Sequence, residues 1–121
     1  NTQVMYAELI DRLTAWAADQ AEVVALYLFG SVAEGRANAL SDVDVAILAD
    51  QNLSKRNLWR LEDRWAAQWP DSVDLHVLNL APPAFQFEVI TRGQRLWVKD
   101  LGQVADFESL VRRRYWDLEP L

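Results

Sequence analysis

The sequence contains no cysteine, which excludes disulfides, a thiolate nucleophile and cysteine-ligated zinc together. It contains a single histidine, His76, so a multi-histidine metal centre cannot be assembled within one chain. No Gly/Ser/Pro-rich linker, internal repeat or low-complexity stretch interrupts the 121 residues, and one domain over residues 1–121 is expected. No run of about 18 apolar residues occurs, so no membrane-spanning helix is expected. Asn1 to Glu8 lacks a basic segment followed by an apolar one, so no secretory leader is read there, and a cytoplasmic location is the default expectation. Positive charge is scarce as well. Twelve Lys and Arg face 18 Asp and Glu, a formal net charge of −6. That balance argues against grip on a nucleic-acid backbone, which needs clustered cations. It fits a chain that binds metal–nucleotide complexes or a basic protein partner. The groups left for chemistry are carboxylates, hydroxyls and arginines.

The apolar 51% of the sequence supplies a core, and its periodicity sets the elements. From Val4 to Asp19, Met5, Leu9, Leu13 and Trp16 recur at helical spacing. Val23 to Phe29 is an unbroken apolar run, as expected of a strand covered on both faces. Gly30 to Ser41 is polar and reads as a loop that can hold a helical turn. Val43 to Leu48 predicts a second strand. Ser54 is placed to cap a helix running to about Trp69, stopped by Pro70. Val73 to Leu78 alternates, with Val73, Leu75 and Val77 on one face. Ala81-Pro82-Pro83 opens a segment that Gly93 closes, and these boundaries favour a helix although Phe85, Phe87 and Val89 also fit a strand period. Gln94 to Val98 predicts the last strand and Val104 to Tyr115 a final helix. The order implies an α/β domain on one mixed sheet of about four strands flanked by helices.

The loop between the first two strands carries the chemical signal. Gly30-Ser31 leaves a buried strand, and Asp42-Val43-Asp44 opens the next. Alternate residues of a strand share a face, so Asp42 and Asp44 point the same way with Cα atoms about 7 Å apart. Two carboxylates so placed can share one or two hard cations, and magnesium prefers oxygen ligands and keeps substrate phosphates in its shell. A Gly-Ser turn at a helix start offers amides to a phosphate. Either pair alone is a common solvated turn. The combination of buried strand, Gly-Ser, fixed spacing, D-x-D and second apolar strand is far more specific.

The stretch Leu28 to Leu48, LFGSVAEGRANALSDVDVAIL, resembles the G-S-x10-D-x-D motif of the DNA polymerase β-like nucleotidyltransferase superfamily. The small size resembles its minimal branch, the MNT-domain proteins, which serve as antitoxins beside HEPN-domain ribonuclease toxins. Val73 to Asn79 is similar to the family's third acidic strand, and Ala81-Pro82-Pro83 and Gly93 to Val98 extend the likeness over most of the chain. The resemblance implies the polymerase β-like nucleotidyltransferase fold. It also implies that Asp42, Asp44 and Asp74 hold two Mg²⁺ ions and that Asp74 draws the proton from the attacking hydroxyl. Gly30 and Ser31 would bind the β- and γ-phosphates of ATP. Asp74 is favoured over Asp71 for the third place because only Asp74 lies inside an alternating strand. The sequence departs from the pattern where family members carry basic residues, at Val32 and Glu34. Arg36 either takes over a phosphate contact or leaves a weakened nucleotide site.

Other features read two ways. His76 shares the face of Asp74 and either contacts a substrate or is a strand histidine beside the cleft. Arg112-Arg113-Arg114 either meets phosphates or places cations at a helix C-terminus, with Tyr115 and Trp116 packing the tail back. Trp16, Trp65 and Trp69 fall on apolar stripes, Trp59 lies off its stripe and Trp97 alternates outward. A chain of this size has no room for a domain that holds an acceptor, so the acceptor is expected on another chain or in a pocket built by a homodimer. Three functions follow. The first is transfer of AMP from ATP to a hydroxyl, expected to be tyrosine, of a HEPN-type toxin. The second is neutralisation of that partner by occlusion alone. The third is transfer to a small molecule such as an aminoglycoside.

Overall fold

The computed structural model describes residues 2–38 and 41–118. Four strands form one mixed sheet in the order β3-β2-β1-β4. β1 is Val23–Phe29, β2 Val43–Ala49, β3 Val73–Val77 and β4 Gln94–Val98. β1 pairs antiparallel with both β2 and β4, whereas β2 and β3 run parallel. The helices are α1 (Thr2–Asp19), α2 (Gly30–Ala33), α3 (Lys55–Ala66), α4 (Pro83–Arg92) and α5 (Leu101–Leu118). The parallel connection from β2 to β3 is made by α3, as a parallel pair requires. No helix among the described residues is long and apolar enough to cross a membrane.

Both faces of β1 are covered, which explains its unbroken apolar run. Val23, Leu26 and Leu28 join Leu13, Val45, Ile47 and Trp65 in a core beneath α1 and α3. Val24, Ala25 and Tyr27 join Leu48, Val89, Phe107 and Val111 beneath α4 and α5. Trp16 packs edge-on against both Trp65 and Trp69, with ring centroids 5.9 and 5.7 Å apart.

Boundaries differ from expectation for identifiable reasons. Ser54 caps α3 by accepting a bond from the Asn57 amide at 3.2 Å, but the helix ends at Ala66. β3 stops at Val77 because Leu78–Leu80 forms a 3₁₀ turn. There the Asn79 side chain bonds the Ala49 N–H and C=O, each at 2.9 Å, in place of a strand neighbour. α5 begins three residues early because Asp100 accepts from the Gln103 amide at 3.1 Å, a cap that Gly102 obscures in the sequence. α4 is confirmed as a helix. Gly93 ends it with φ −81°, so its role is room rather than a left-handed turn: a Cβ there would lie 2.5 Å from the Val89 oxygen and 2.8 Å from the Leu28 oxygen. Trp97 is half-buried against the α1 side rather than outward. Tyr115 stacks on Phe87 at 3.8 Å, but Trp116 is 67% exposed and does not pack the tail.

One polar contact lies within the α5 face of the core. The Tyr27 hydroxyl donates to Glu108 at 2.8 Å, and Arg95 and Arg112 approach the same carboxylate at 3.5 and 3.4 Å. Arg112 thus serves Glu108 one turn back, and the arginine run lies within α5 rather than at its end. Burial, then the bond to Glu108, pushes the Tyr27 phenol well up. Tyr27→Phe removes a donor from a buried carboxylate and should cost about 1–2 kcal/mol in urea unfolding. An unchanged midpoint would show that the two arginines alone satisfy Glu108.

Candidate active site

The site follows from strand register. Phe29 faces Asp44 across β1–β2, and Asp44 faces Asp74 across β2–β3. Directly paired residues share a face, so Phe29, Asp44 and Asp74 form one row. The row behind it is Tyr27, Ala46 and His76, with Tyr27 and Ala46 covered by the α4/α5 core. Asp42 is exposed, two residues ahead of Asp44. The three predicted carboxylates therefore meet at one end of the sheet.

Gly30 leaves β1 beside them with φ +76°, a conformation that costs an L-residue about 1–2 kcal/mol. A Cβ on Gly30 would overlap Oδ2 of Asp44, so this glycine lets the β1–α2 turn lie directly against the carboxylate. α2 then turns once from Gly30 to Ala33, which is the helical turn expected in the loop. Of that loop, residues 39 and 40 lie outside the described residues. The described residues before and after them are held by side chains from other elements. The Gln94 side chain donates to the Ala33 oxygen at 2.8 Å, and the Tyr6 hydroxyl lies 2.7 and 2.9 Å from the Asn38 and Ser41 oxygens.

The electrostatics are those of an acidic cluster. Burial raises the pKa of Asp44, and the neighbouring charges of Asp74 and Asp42 raise it further, against a smaller opposing effect of His76. Asp44 and Asp74 are direct cross-strand neighbours, so the charge of one bears on the other without an intervening residue. Asp74 itself is 54% exposed on its side chain and lies 3.1 Å from His76 Nε2. It is an open carboxylate at the rim rather than a buried one. Among the described residues no three acidic or imidazole side chains already enclose one point. The donor set nonetheless fits a hard divalent ion: carboxylate oxygens on adjacent strands whose mutual repulsion a cation would relieve.

The Arg36 side chain is engaged within the loop. Its guanidinium pairs with Glu34 at 2.7 Å, and that bond, with a weaker pull from Arg92, lowers the Glu34 pKa. Arg92, in the last turn of α4, is therefore a cation that acts on Glu34 and that the sequence does not reveal. Nothing in its local sequence signals it, because α4 is remote in the chain. Also missed is an aromatic group behind the carboxylates. Phe85 of α4 packs on Phe29 and His76, with centroids 5.2 and 5.6 Å apart.

Comparison with known proteins gives the family and the fold. Residues 11–101 match the family described as Polymerase beta, Nucleotidyltransferase. Protein adenylyltransferase MntA of Shewanella oneidensis is 36% identical over 72 residues, 60% of this chain and 52% of that protein. The match thus spans about half the length of that curated relative. A chain from a crystal structure of a toxin–antitoxin pair with AMP-PNP superposes with a TM-score of 0.64 at 29% identity, covering 84% of this chain and 81% of the other. A chain from a complex of tri-AMPylated Shewanella oneidensis HEPN toxin with MNT antitoxin gives 0.62 at 25% identity, covering 92% and 87%.

Proposed function

The chain belongs to the polymerase β-type nucleotidyltransferase family, and from that premise we propose that it transfers AMP from ATP to a hydroxyl, a tyrosine, of a HEPN-type toxin and so acts as its antitoxin. The observation that carries this reading is the row Asp44–Asp74, with Asp42 alongside and Gly30 in contact with Asp44. The adenylyltransferase relative, the AMP-PNP complex and the AMPylated toxin complex support it.

In this reading Asp42, Asp44 and Asp74 hold two Mg²⁺ ions. Such ions supply charge neutralisation at the α-phosphate and at the departing pyrophosphate. The Gly30–Ser31 turn, opening α2, orients the β- and γ-phosphates through its amides. Arg36 reaches them by leaving Glu34, an exchange of one surface ion pair that costs little. Asp74, at the open rim, accepts the proton of the attacking hydroxyl. The acceptor oxygen bonds to the α-phosphorus and the bond to the β-phosphate oxygen breaks. The whole chain acts as one minimal nucleotidyltransferase unit.

The test is intact mass of a HEPN-type partner after incubation with this chain, Mg²⁺ and ATP. A mass increase in steps of one AMP, absent with Asp44→Asn, is the expected outcome. An unchanged mass in a stable complex would mean neutralisation by occlusion.

A further inference from the structure

The carboxylate row leaves one neighbouring feature without a role. Outside the β3 edge lies a cavity of about 390 Å³, in the lower part of the range of ligand pockets. It is walled by Trp59 and Glu62 of α3, His76, Leu80, Pro82 and Phe85. We propose that this cavity is the acceptor subsite, taking the phenol ring of a tyrosine side chain on the acceptor protein. The proposal rests on the nucleotidyl-transfer reading above and adds to it the place and the walls of the acceptor site, with Trp59 and Phe85 as specificity-determining residues.

The first argument is direction. In an in-line displacement the attacking and leaving oxygens stand on opposite sides of the phosphorus. The Gly30–Ser31 turn leaves β1, Asp44 is on β2 and Asp74 on β3, in that order across the sheet. Adjacent strands are about 4.8 Å apart. With pyrophosphate leaving over the β1 end, the acceptor must arrive from beyond β3, and that is where the cavity lies. The second argument is contiguity. His76 lines the cavity and sits 3.1 Å from Asp74 Oδ2, so the wall directly adjoins the rim carboxylate.

The third argument is chemistry. Trp59 is 59% exposed, a large apolar surface left open beside a cavity. Phe85 also lines it, its ring packed against Phe29 and His76. Flat aromatic walls favour an aromatic ring by offset or edge contacts, with its polar tip toward a wet, polar end. An aliphatic serine or threonine hydroxyl has too little surface to use them. A second cavity of about 340 Å³ shares Trp59, Leu80 and Ala81 and continues to Lys55 and Arg114, giving room for the chain that carries the tyrosine. In the step itself the phenol oxygen bonds to the α-phosphorus, pyrophosphate departs with the electron pair of the broken bond, and the phenolic proton passes to Asp74.

The probe is N-acetyl-tyrosinamide, titrated into the whole chain with Mg²⁺ and a non-hydrolysable ATP analogue, up to about 20 mM to load a millimolar site. The Trp59 indole and the His76 and Phe85 amides should shift in NMR spectra. With ATP, Trp59→Ala and Phe85→Ala should each raise KM for AMP transfer to the probe about tenfold while kcat changes little. The rise in Tm produced by Mg²⁺–ATP should stay as in wild type, and N-acetyl-serinamide should not be adenylylated. Probe shifts absent from the cavity, or an unchanged KM in both variants, would overturn the proposal. Shifts of Trp59 caused by the analogue alone, with weaker Mg²⁺–ATP stabilisation in Trp59→Ala, would overturn it by making the cavity a nucleobase site. Loss of both transfer and Mg²⁺–ATP stabilisation in wild type would instead remove the nucleotidyl-transfer premise.

Discussion

Asp44→Asn should abolish transfer and, in chelator at pH 7, raise the melting temperature. The two effects share one cause. Asp44 lies between Asp74 and Asp42 with part of its surface withdrawn from water, and burial first, then both neighbours, raise its pKa. An acid whose folded-state pKa exceeds its unfolded value favours the protonated form in the fold. Its contribution to stability is complete below the ordinary carboxylate range and is lost as pH rises through the raised value. Wild type therefore carries a penalty at neutral pH that the neutral amide avoids. Asp44 is largely open to screening, so the gain should stay under about 1 kcal/mol, a few degrees in Tm. The difference should vanish when both proteins are melted at a pH below the ordinary carboxylate range. Mg²⁺–ATP should invert the order, because a ligand stabilises by mass action only the protein that binds it. Transfer should fall at least about a thousandfold, roughly 4 kcal/mol of transition-state stabilisation. Thermal melts in chelator and in Mg²⁺–ATP, with a transfer assay, check all three. Transfer within tenfold of wild type, or a lower Tm in chelator, would remove Asp44 from the role given to it.

The nearness of Asp42, Asp44 and Asp74 is legible in the sequence because it depends largely on local rules. Asp42 stands two residues ahead of Asp44 at the start of β2, and Asp74, unlike Asp71, lies inside the alternating β3. The sheet, the order of its strands' elements and the α4 helix were legible for the same reason, since apolar period and Gly/Pro punctuation are local signals. What stayed hidden depends on contacts between distant segments. Arg92 acts on Glu34 although it stands 58 positions later in the chain. The Phe29–His76–Phe85 cluster joins three elements. Trp97 lies half-buried because α1 packs over β4's neighbour, which its own alternation cannot reveal. Asp100 does not stand out as a cap because Gly102 weakens the helix signal that follows it. The polar pairing of Tyr27 with Glu108 spans 81 positions and has no short-range trace. The Arg36–Glu34 pair is local, yet a sequence shows only that the two can meet.

The glycines of the loop allow the close approach at the carboxylate to be separated from backbone cost. Gly30 and Gly35 both have positive φ, +76° and +72°. An alanine at either pays the left-handed penalty, about 1–2 kcal/mol. They differ in what the new Cβ meets. At Gly35 nothing lies within 4 Å, whereas at Gly30 the Cβ would overlap Oδ2 of Asp44. Gly35→Ala should therefore lose about 1–2 kcal/mol of stability and keep transfer within a few-fold of wild type. Gly30→Ala should lose more stability than Gly35→Ala and reduce transfer about a hundredfold, because it displaces both the phosphate-binding turn and Asp44, and small misplacements of reacting groups cost rates of that order. A double-mutant cycle isolates the contact. In an Asp44→Ala background the overlapping carboxylate is gone, so the excess penalty of Gly30→Ala over Gly35→Ala should disappear in urea unfolding. Equal penalties for the two alanines in both backgrounds would mean that Gly30 serves only the turn. An excess at Gly30 that Asp44→Ala relieves would mean that the glycine is there so that the phosphate-binding backbone and the carboxylate can occupy adjoining space.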